Sequence, residues 1–302
     1  MKKTIQICEV GPRDGFQSIT CAQIPTEQKI EIIEELLAAG VKHMEFTSFV
    51  SPKAIPQMAD AAAVAEYALK KYPDRDYFAL VPNLRGAANA YALGLRKLCY
   101  VVSLSTSHNR ANINRTHEQS LSAYREIRES YPDLQLDVDL ATTFGCPFEG
   151  KYTDPREPAA FLRPYWEAGM RSVTLCDTIG IADPAQVRRV LCAVKEAYPE
   201  LAVQVHFHDT RGLGMVNTLT ALELGVDGVQ TALGGLGGCP FAPGASGNLS
   251  TEDTVWMLNE MGYDTGIRFA PLLAAAKAQK EAIPGNYSGH HICVEKETPC
   301  QF

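Results

Sequence analysis

The stretch LAVQVHFHDTRGLGMVNTLTALELGVDGVQTAL, residues 201–233, decides the fold. Its first nine residues alternate apolar and polar side chains, as a β-strand with period two does. Residues 212–225 have the apolar spacing of a helix and end at a glycine, and residues 226–233 are again β-rich. A strand, a helix and a second strand in this order predict a parallel βαβ unit.

The same alternation runs outward from this unit along most of the chain. The predicted strands are residues 4–10, 41–48, 76–83, 95–105, 133–143, 171–178, 201–209 and 226–233. Eight βα units predict a (β/α)8 TIM barrel, and two further helical patterns predict additional C-terminal helices. The alternative is an open doubly wound sheet, but no G-x-G-x-x-G follows the first strand. We expect one domain over residues 1–302, with a glycine-rich loop at about 234–248 and a C-terminal extension at about 250–302.

Composition and charge exclude several classes of protein. The chain is 46% hydrophobic and 21% charged, which is enough apolar material for a large core, and its net charge is -7. That charge argues against nucleic acid or an anionic membrane surface as the main partner. No run approaches the eighteen apolar residues of a membrane-spanning helix. Nine cysteines without a C-x-x-C pair, and a start without a long apolar run, predict a cytoplasmic protein with free thiols.

Polar residues gather where the predicted strands end. In the seventh strand, His206 and His208 share one face, and Val205 and Phe207 share the other. Active sites of such barrels form at the carboxyl ends of the strands. The other polar residues predicted at this rim, each with an ordinary structural explanation of its own, include Arg13, Asp14, Glu45, Asp177 and Asn248. Turns, ion pairs and helix caps do not together explain such a convergence, which instead favours a metal site.

The ligand types indicate which metal the site would hold. His206 and His208 offer two nitrogens from one strand, Asp14 offers a carboxylate from across the ring, and Asn248 offers an amide oxygen. This oxygen-rich set without a thiolate favours Mg²⁺ or Mn²⁺ over Zn²⁺. Cys239 lies in the glycine-rich loop and is not counted as a ligand.

Six motifs in order add a family resemblance to this interpretation. They are VGPRDGFQS (10–18), TSFVSPKAIPQM (47–58), GCPFEG (145–150), DTIG (177–180), HFHDTRG (206–212) and GGLGGCPFAPGASGNLSTED (234–253). Together they resemble the 3-hydroxy-3-methylglutaryl-CoA lyase family, a branch of the metal-dependent barrel lyases and Claisen-type synthases. The resemblance extends from about residue 7 to about residue 266.

This resemblance implies a fold, a reaction and a site. The fold is a (β/α)8 barrel, and the reaction cleaves a 3-hydroxyacyl-CoA, here 3-hydroxy-3-methylglutaryl-CoA, to acetyl-CoA and acetoacetate. It also implies a homodimer. The metal positions of the family correspond to Asp14, His206, His208 and Asn248, and its other functional positions to Arg13, Glu45, Asp177 and Cys239.

The chemistry suggests a role for each of the remaining groups. Arg13 is the natural donor to the thioester oxygen, where negative charge develops. Cys239 would deliver or relay a proton to the enolate carbon, and His206 would share in the proton transfers. Asp177 and Glu45 would orient the metal ligands or the arginine.

Departures from the family pattern leave the acyl group open. Ser18 and Ile19 stand where typical lyases have Asn-Glu, and Arg211 stands where they carry tyrosine. Arg211 either holds a second carboxylate or a CoA phosphate, or it is a solvated side chain. The tail with His290 and His291 also differs from the usual lyase ending, and a solvated tail explains these histidines better than a ligand pair does.

Three other functions are weighed against this one. A lyase of the same mechanism could act on citramalyl-CoA or a related 3-hydroxyacyl-CoA. A Claisen-type synthase, which condenses an acyl-CoA with a 2-keto acid, typically reads RDGEQ where this chain has RDGFQ. A metal-binding barrel without catalysis has no need of the set Arg13, Asp14 and Cys239.

Overall fold

The computed structural model describes residues 4–238 and 247–294 of the chain. Within these residues, eight parallel strands close into a barrel in which β1 pairs with both β2 and β8. This confirms the predicted (β/α)8 barrel. The barrel strands are β1 (Gln6–Glu9), β2 (His43–Ser48), β3 (Asp76–Leu80), β4 (Lys97–Ser103), β5 (Gln135–Ala141), β6 (Ser172–Asp177), β7 (Ala202–Phe207) and β8 (Gly228–Thr231).

Helices follow the strands, and two of them lie beyond β8 as predicted. The α-helices are α1 (Thr26–Ala39), α2 (Ala61–Lys71), α3 (Leu84–Ala92), α4 (Thr106–Ile113), α5 (His117–Ser130), α6 (Glu157–Glu167), α7 (Pro184–Ala197), α8 (Gly214–Glu223), α9 (Thr251–Glu260) and α10 (Phe269–Ala282). A hairpin of Gly145–Cys146 and Gly150–Lys151 follows β5. None of the helices in the described part of the chain has the length and apolar character needed to cross a membrane.

Local side-chain chemistry sets several helix boundaries. The Asn83 side chain accepts a hydrogen bond from Gly86 N (3.0 Å) and begins α3. A reciprocal capping box between Thr116 and Gln119 begins α5. Helix α1 ends at Gly40, which has a φ of 107°, a left-handed conformation that favours glycine.

The alternation within the strands separates the apolar core from the site. Val205 and Phe207 are fully buried in the main hydrophobic core, which lies between the barrel and its helices. His206, between them in sequence, points instead into the cavity at the carboxyl end of the barrel. The period of two therefore places the two imidazoles as the sequence predicts.

The opposite end of the barrel holds a charged cluster that predicts acid sensitivity. His43, Asp76 and Lys97 are the first residues of β2, β3 and β4, and Asp76 Oδ2 lies 2.8 Å from His43 Nδ1 and 2.9 Å from Lys97 Nζ. Burial raises the pKa of Asp76, but the hydrogen bonds from His43 and Lys97 outweigh burial and hold it at about 2.

We therefore expect Asp76 to stabilise the fold above its ordinary pKa of 3.8 and to lose this effect as the pH falls towards about 2. Asp76→Asn should lower the free energy of unfolding near neutral pH by about 1 kcal/mol. The loss is this small because Asp76 and its partners His43 and Lys97 are partly exposed to solvent. Its stability should also fall less steeply than that of the wild type between pH 4 and pH 2. Urea unfolding across this range is the measurement, and Asp74→Asn, an exposed neighbour, is the control. A wild-type slope in Asp76→Asn would contradict the expectation.

Candidate metal centre

The turn that follows β1 presents Arg13 and Asp14 at the carboxyl end of the barrel. Gly11–Gly15 form a π-helical turn in which the Val10 carbonyl accepts hydrogen bonds from Arg13 N (3.1 Å) and Asp14 N (2.7 Å). Arg13 Nη1 donates to Asp14 Oδ1 (2.6 Å) and Nη2 donates to Glu45 Oε2 (2.5 Å). The guanidinium is thus held between two carboxylates.

Glu9, which sequence reasoning did not single out, fixes this turn from behind. Its carboxylate is fully buried and accepts hydrogen bonds from Gly11 N (2.8 Å), Leu233 N (2.8 Å) and Thr251 Oγ1 (2.6 Å). A Cβ at Gly11 would lie 2.5 Å from Glu9 Oε1, so a larger residue there would displace the Glu9 carboxylate from its hydrogen bonds. Glu9 therefore ties the turn after β1 to the turn after β8. A carboxylate in the apolar run IQICEV is the signal that could have found it.

Asp14, His206 and His208 come together, and one ligand atom from each lies within 4.8 Å of the other two. Burial raises the pKa of Asp14, but Arg13 and the two imidazoles outweigh it and hold the pKa at about 2. Burial lowers the pKa of His208 to about 4 and also lowers that of His206. At neutral pH the group therefore consists of one carboxylate and two neutral imidazoles, the forms that bind metals.

Asn248 completes the group from the other side. It forms a β-bridge with His208, and its Nδ2 donates to Asp14 Oδ2 (2.8 Å) and to the Leu236 carbonyl (3.1 Å). Asn248 Oδ1 and His208 Nδ1 are buried, and neither has a hydrogen-bond partner in the described part of the chain. Because buried lone pairs are costly when unpaired, these atoms fit a bound cation. The residues present thus fit a divalent metal.

One expectation about this group was wrong. We expected Asp14 to supply its carboxylate from the opposite side of the ring. In the closed barrel β8 pairs with both β1 and β7, so only one strand separates Asp14 from His206. The group is therefore built on adjacent parts of the rim.

Gln230 and Thr174 orient His206 from inside the barrel. Gln230 Oε1 lies 3.1 Å from His206 Nδ1, and Gln230 Nε2 donates to Thr174 Oγ1 (3.0 Å). Since the amide oxygen of Gln230 only accepts, Nδ1 carries the proton in this contact and Nε2 keeps its lone pair for a metal.

Asp177 and Arg211 both support the turn after β6. Asp177 accepts hydrogen bonds from Ile181 N (2.9 Å) and Ala182 N (3.0 Å). Arg211 Nη1 donates to the carbonyls of Ile179 (2.8 Å) and Gly180 (3.0 Å). Because these two carbonyls engage Nη1 of Arg211, that nitrogen is not available to bind a substrate anion. Arg211 is therefore not simply a solvated side chain.

A second buried group lies beside Arg13, and of its three members only Glu45 was predicted. Ligand atoms of Glu45, Cys99 and Asp139 lie within 4.8 Å of one another, and Cys99 Sγ donates to Asp139 Oδ2 (2.8 Å). Burial raises the pKa of all three groups. Cys99 and Asp139 therefore favour protonated forms, and the Glu45 carboxylate is already engaged by Arg13, so this group suits a metal less well than the group at Asp14 does. Asp139, a carboxylate inside the buried strand LDVDLA, could have indicated this group from the sequence alone.

A cavity of about 530 Å³ opens from the candidate metal group towards the end of α4. Arg13, Asp14 and the two histidines line its inner end, and Asp139 and Gln230 also face it. Asn112, Asn114 and Arg115 line its outer part. The cavity is large enough for a small organic ligand. Cys239 lies outside the described residues.

The closed barrel and the group of carboxylate and imidazoles at its carboxyl end define the class first: a (β/α)8 protein with a candidate site for a divalent cation. A model of the HMGL-like family matches residues 4–278. The chain belongs to the HMGL-like family, which confirms the resemblance carried by the six motifs and implies a divalent metal.

Individual relatives are similar over nearly the whole chain. The chain is 42% identical over 283 residues to a hydroxymethylglutaryl-CoA lyase of Bacillus subtilis, with 93% of this chain and 94% of the relative covered. It is 39% identical over 277 residues to the mitochondrial hydroxymethylglutaryl-CoA lyase of Mus musculus, with 91% and 84% covered. The structure of an HMG-CoA lyase from Acinetobacter baumannii in complex with coenzyme A and 3-methylmalate matches with a TM-score of 0.91 and 40% identity, over 99% of this chain and 97% of that one.

Proposed function

We propose that this protein is a divalent-cation-dependent carbon–carbon lyase that cleaves 3-hydroxy-3-methylglutaryl-CoA to acetyl-CoA and acetoacetate. The observation that carries the proposal is the group of Asp14, His206 and His208 at the inner end of a cavity that Arg13 also lines, with Asn248 hydrogen-bonded to Asp14. The similarity to hydroxymethylglutaryl-CoA lyases over more than 90% of the chain supports the same reaction.

The four residues would hold Mg²⁺ or Mn²⁺. One carboxylate and one amide oxygen would join two imidazoles in holding the cation, and substrate oxygens could complete the set. The set contains no thiolate, the ligand that would favour Zn²⁺. When bound, the cation would lower the pKa of the substrate's tertiary hydroxyl and fix the substrate's distal carboxylate.

Arg13 supplies charge where the reaction develops it. After the hydroxyl proton leaves, the bond between C2 and C3 breaks, C3 becomes the keto carbon of acetoacetate, and the electron pair passes into the thioester as an enolate. A guanidinium has five N–H donors, and two of those in Arg13 donate to Asp14 and Glu45. The remaining donors can face the thioester oxygen, and burial strengthens this interaction.

Other residues would position the reacting groups and move protons. Glu45 holds Arg13 in place, and Asp177 holds the turn beside His208. His206, as a metal ligand beside the hydroxyl, would assist the loss of the hydroxyl proton, and Cys239 returns a proton to C2 of the enolate. The proton lost from the hydroxyl matches the one gained by C2, so acetyl-CoA and acetoacetate together contain all the atoms of the substrate.

The acyl group of the substrate has a second candidate besides 3-hydroxy-3-methylglutaryl. A relative that is 40% identical was solved with coenzyme A and 3-methylmalate. Asp139 also lines the cavity, and a buried acid there suits an acyl group with polar substituents. A lyase for citramalyl-CoA or a related 3-hydroxyacyl-CoA therefore stays the alternative.

The remaining parts of the proposal concern the whole chain. We propose that residues 1–302 act as one barrel domain that uses acyl-CoA as its small-molecule substrate, without a nucleic-acid or membrane partner. We further propose a homodimer in the cytoplasm. Size-exclusion chromatography with light scattering tests the dimer, for which a mass near 66 kDa, about twice the 33.0 kDa of one chain, is expected.

The function is tested by product analysis. Purified full-length protein with Mg²⁺ or Mn²⁺ is offered 3-hydroxy-3-methylglutaryl-CoA and citramalyl-CoA in parallel, and acetyl-CoA and the keto product are quantified. We expect faster cleavage of the first substrate, abolished by a chelator and restored by added metal. Faster cleavage of citramalyl-CoA would instead support the alternative, and cleavage that a chelator does not affect would contradict the metal-dependent mechanism.

The role of Cys239 gives a separate prediction. Cys239→Ala should lower kcat by about 10²–10⁴-fold with little change in KM, because a general acid acts mainly in the transition state. Cys192→Ala, which removes an exposed thiol on α7, is the matched control and should behave like the wild type. Full turnover by Cys239→Ala would show that another group delivers the proton.

A further inference from the structure

The segment after α10 runs back across the carboxyl end of the barrel. We call residues 285–293 the C-terminal strap. It contains His290 and His291, which the sequence assigns to a solvated tail. The His290 side chain is indeed 82% exposed, but the backbone around it is tied to the barrel at several points.

The first half of the strap contacts both sides of the loop after β8. Gly237 N donates to the Asn286 carbonyl (3.3 Å), and Gly289 N donates to the Gly234 carbonyl (3.0 Å). Ser288 Oγ lies 2.8 Å from the Asn248 carbonyl and 3.3 Å from the carbonyl of Gly235. The approach is close, since a Cβ at Gly235 would lie 2.0 Å from Ser288 Oγ.

The second half of the strap is anchored on α9 and α10. Asp253 accepts hydrogen bonds from His290 N (2.7 Å) and His291 N (3.1 Å), and His290 Nδ1 lies 2.9 Å from the same carboxylate. The His291 ring contacts Trp256 and Phe269, with centroid distances of 5.1 Å to each. These contacts fix the direction in which the strap crosses the loop.

Asn248 is consequently held from two sides. On one side its neighbours pair with β7, through Asp209 N to the Gly247 carbonyl (3.0 Å) and Leu249 N to the Phe207 carbonyl (3.3 Å). On the other side its own carbonyl accepts the Ser288 hydroxyl. The Ser288 hydroxyl thus restrains this peptide, and a tilt of the peptide would carry Asn248 Oδ1 away from the imidazoles.

We propose that the C-terminal strap positions the metal ligand Asn248 and that Ser288 is its positioning residue. The inference rests on the metal site of the proposed function. It assigns a task to a segment that neither the reaction chemistry nor the six sequence motifs include. A strap that only added stability would make no difference to the affinity of the folded protein for metal.

The test compares metal affinity with stability in the full chain. Mn²⁺ binding is measured without substrate by the electron paramagnetic resonance signal of free Mn²⁺, and thermal unfolding is measured in a chelator. Ser288→Ala should bind Mn²⁺ about tenfold more weakly, as expected when a partner that orients a ligand is lost. Excess metal should restore its kcat.

Thr220→Val is the matched control. It also removes a hydroxyl that donates to a backbone carbonyl, that of Val216 (2.9 Å), but within α8. It should leave Mn²⁺ affinity unchanged, and both variants should unfold within a few degrees of the wild type.

The outcomes separate the two proposals. Equal Mn²⁺ affinity in Ser288→Ala and the wild type would overturn the role of the strap and leave the proposed function intact. Weak binding in both Ser288→Ala and Thr220→Val would likewise overturn it, because the effect would be one of general destabilisation. No Mn²⁺ binding by the wild type would overturn the metal site itself and the strap inference with it.

Discussion

Asp14→Asn is expected to weaken Mn²⁺ binding by more than about 100-fold, beyond the effect of losing an outer partner of a ligand. Asp14 supplies the single negative charge among the four proposed ligands, and Arg13 and the imidazoles keep its pKa at about 2. Turnover of 3-hydroxy-3-methylglutaryl-CoA should fall by at least about 10²–10³-fold, the range for losing a group that stabilises charge in the transition state. Isothermal titration and a steady-state assay measure the two effects.

The fold should survive this change. Arg13 keeps its ion pair with Glu45, and the introduced amide can still accept a hydrogen bond from Asn248, so the free energy of unfolding should change by only about 1 kcal/mol. Asp74→Asn, with its exposed side chain, controls for the loss of one charge. More than a tenth of wild-type turnover at equal metal concentration would contradict the ligand role of Asp14.

Arg13→Met is expected to remove activity and stability together. The variant leaves Glu45, which is completely buried, without its cation, and breaking a buried pair from one side costs about 3 kcal/mol. It also removes the donor to the thioester oxygen, so kcat should fall by at least about 10²–10³-fold, with a smaller change in KM. Urea unfolding and steady-state kinetics measure both effects.

A double variant separates the two roles of Arg13. Arg13→Met with Glu45→Gln removes both members of the buried pair, so the stability lost at position 45 should return, while Asp14 keeps its hydrogen bond from Asn248. Activity should stay as low as in Arg13→Met. Recovery of turnover together with stability would mean that Arg13 acts only through the fold.

Much of the barrel was predictable because its signals are local. The period of two in each strand and the apolar spacing of most helices repeat along the chain, and they place His206 and His208 on one face without any tertiary information. Helix α4 was not predicted because its sequence TSHNRANI has almost no apolar face. Its start depends instead on the Ser105 side chain, which caps it. Turn chemistry, rather than periodicity, defines that helix.

The candidate site was predictable in composition more than in geometry. Residues at strand ends were expected at one rim, but the small distance from Asp14 to the histidines depends on closure between β1 and β8, which are over 200 residues apart. Arg211 shows the same limit, since its partners are carbonyls of a turn that only the fold brings near. Glu9, Asp139 and Ser288 also acquire their meaning from contacts distant in sequence.

The central claim is that one divalent cation is held by Asp14, His206, His208 and Asn248. The most direct test is an anomalous difference map from crystals of the protein grown with Mn²⁺. We expect one strong peak per chain at about 2.2 Å from a ligand atom of each of these four residues, a typical metal–ligand distance. A peak at Glu45, Cys99 and Asp139 instead, or no peak beside Asp14, would contradict the claim.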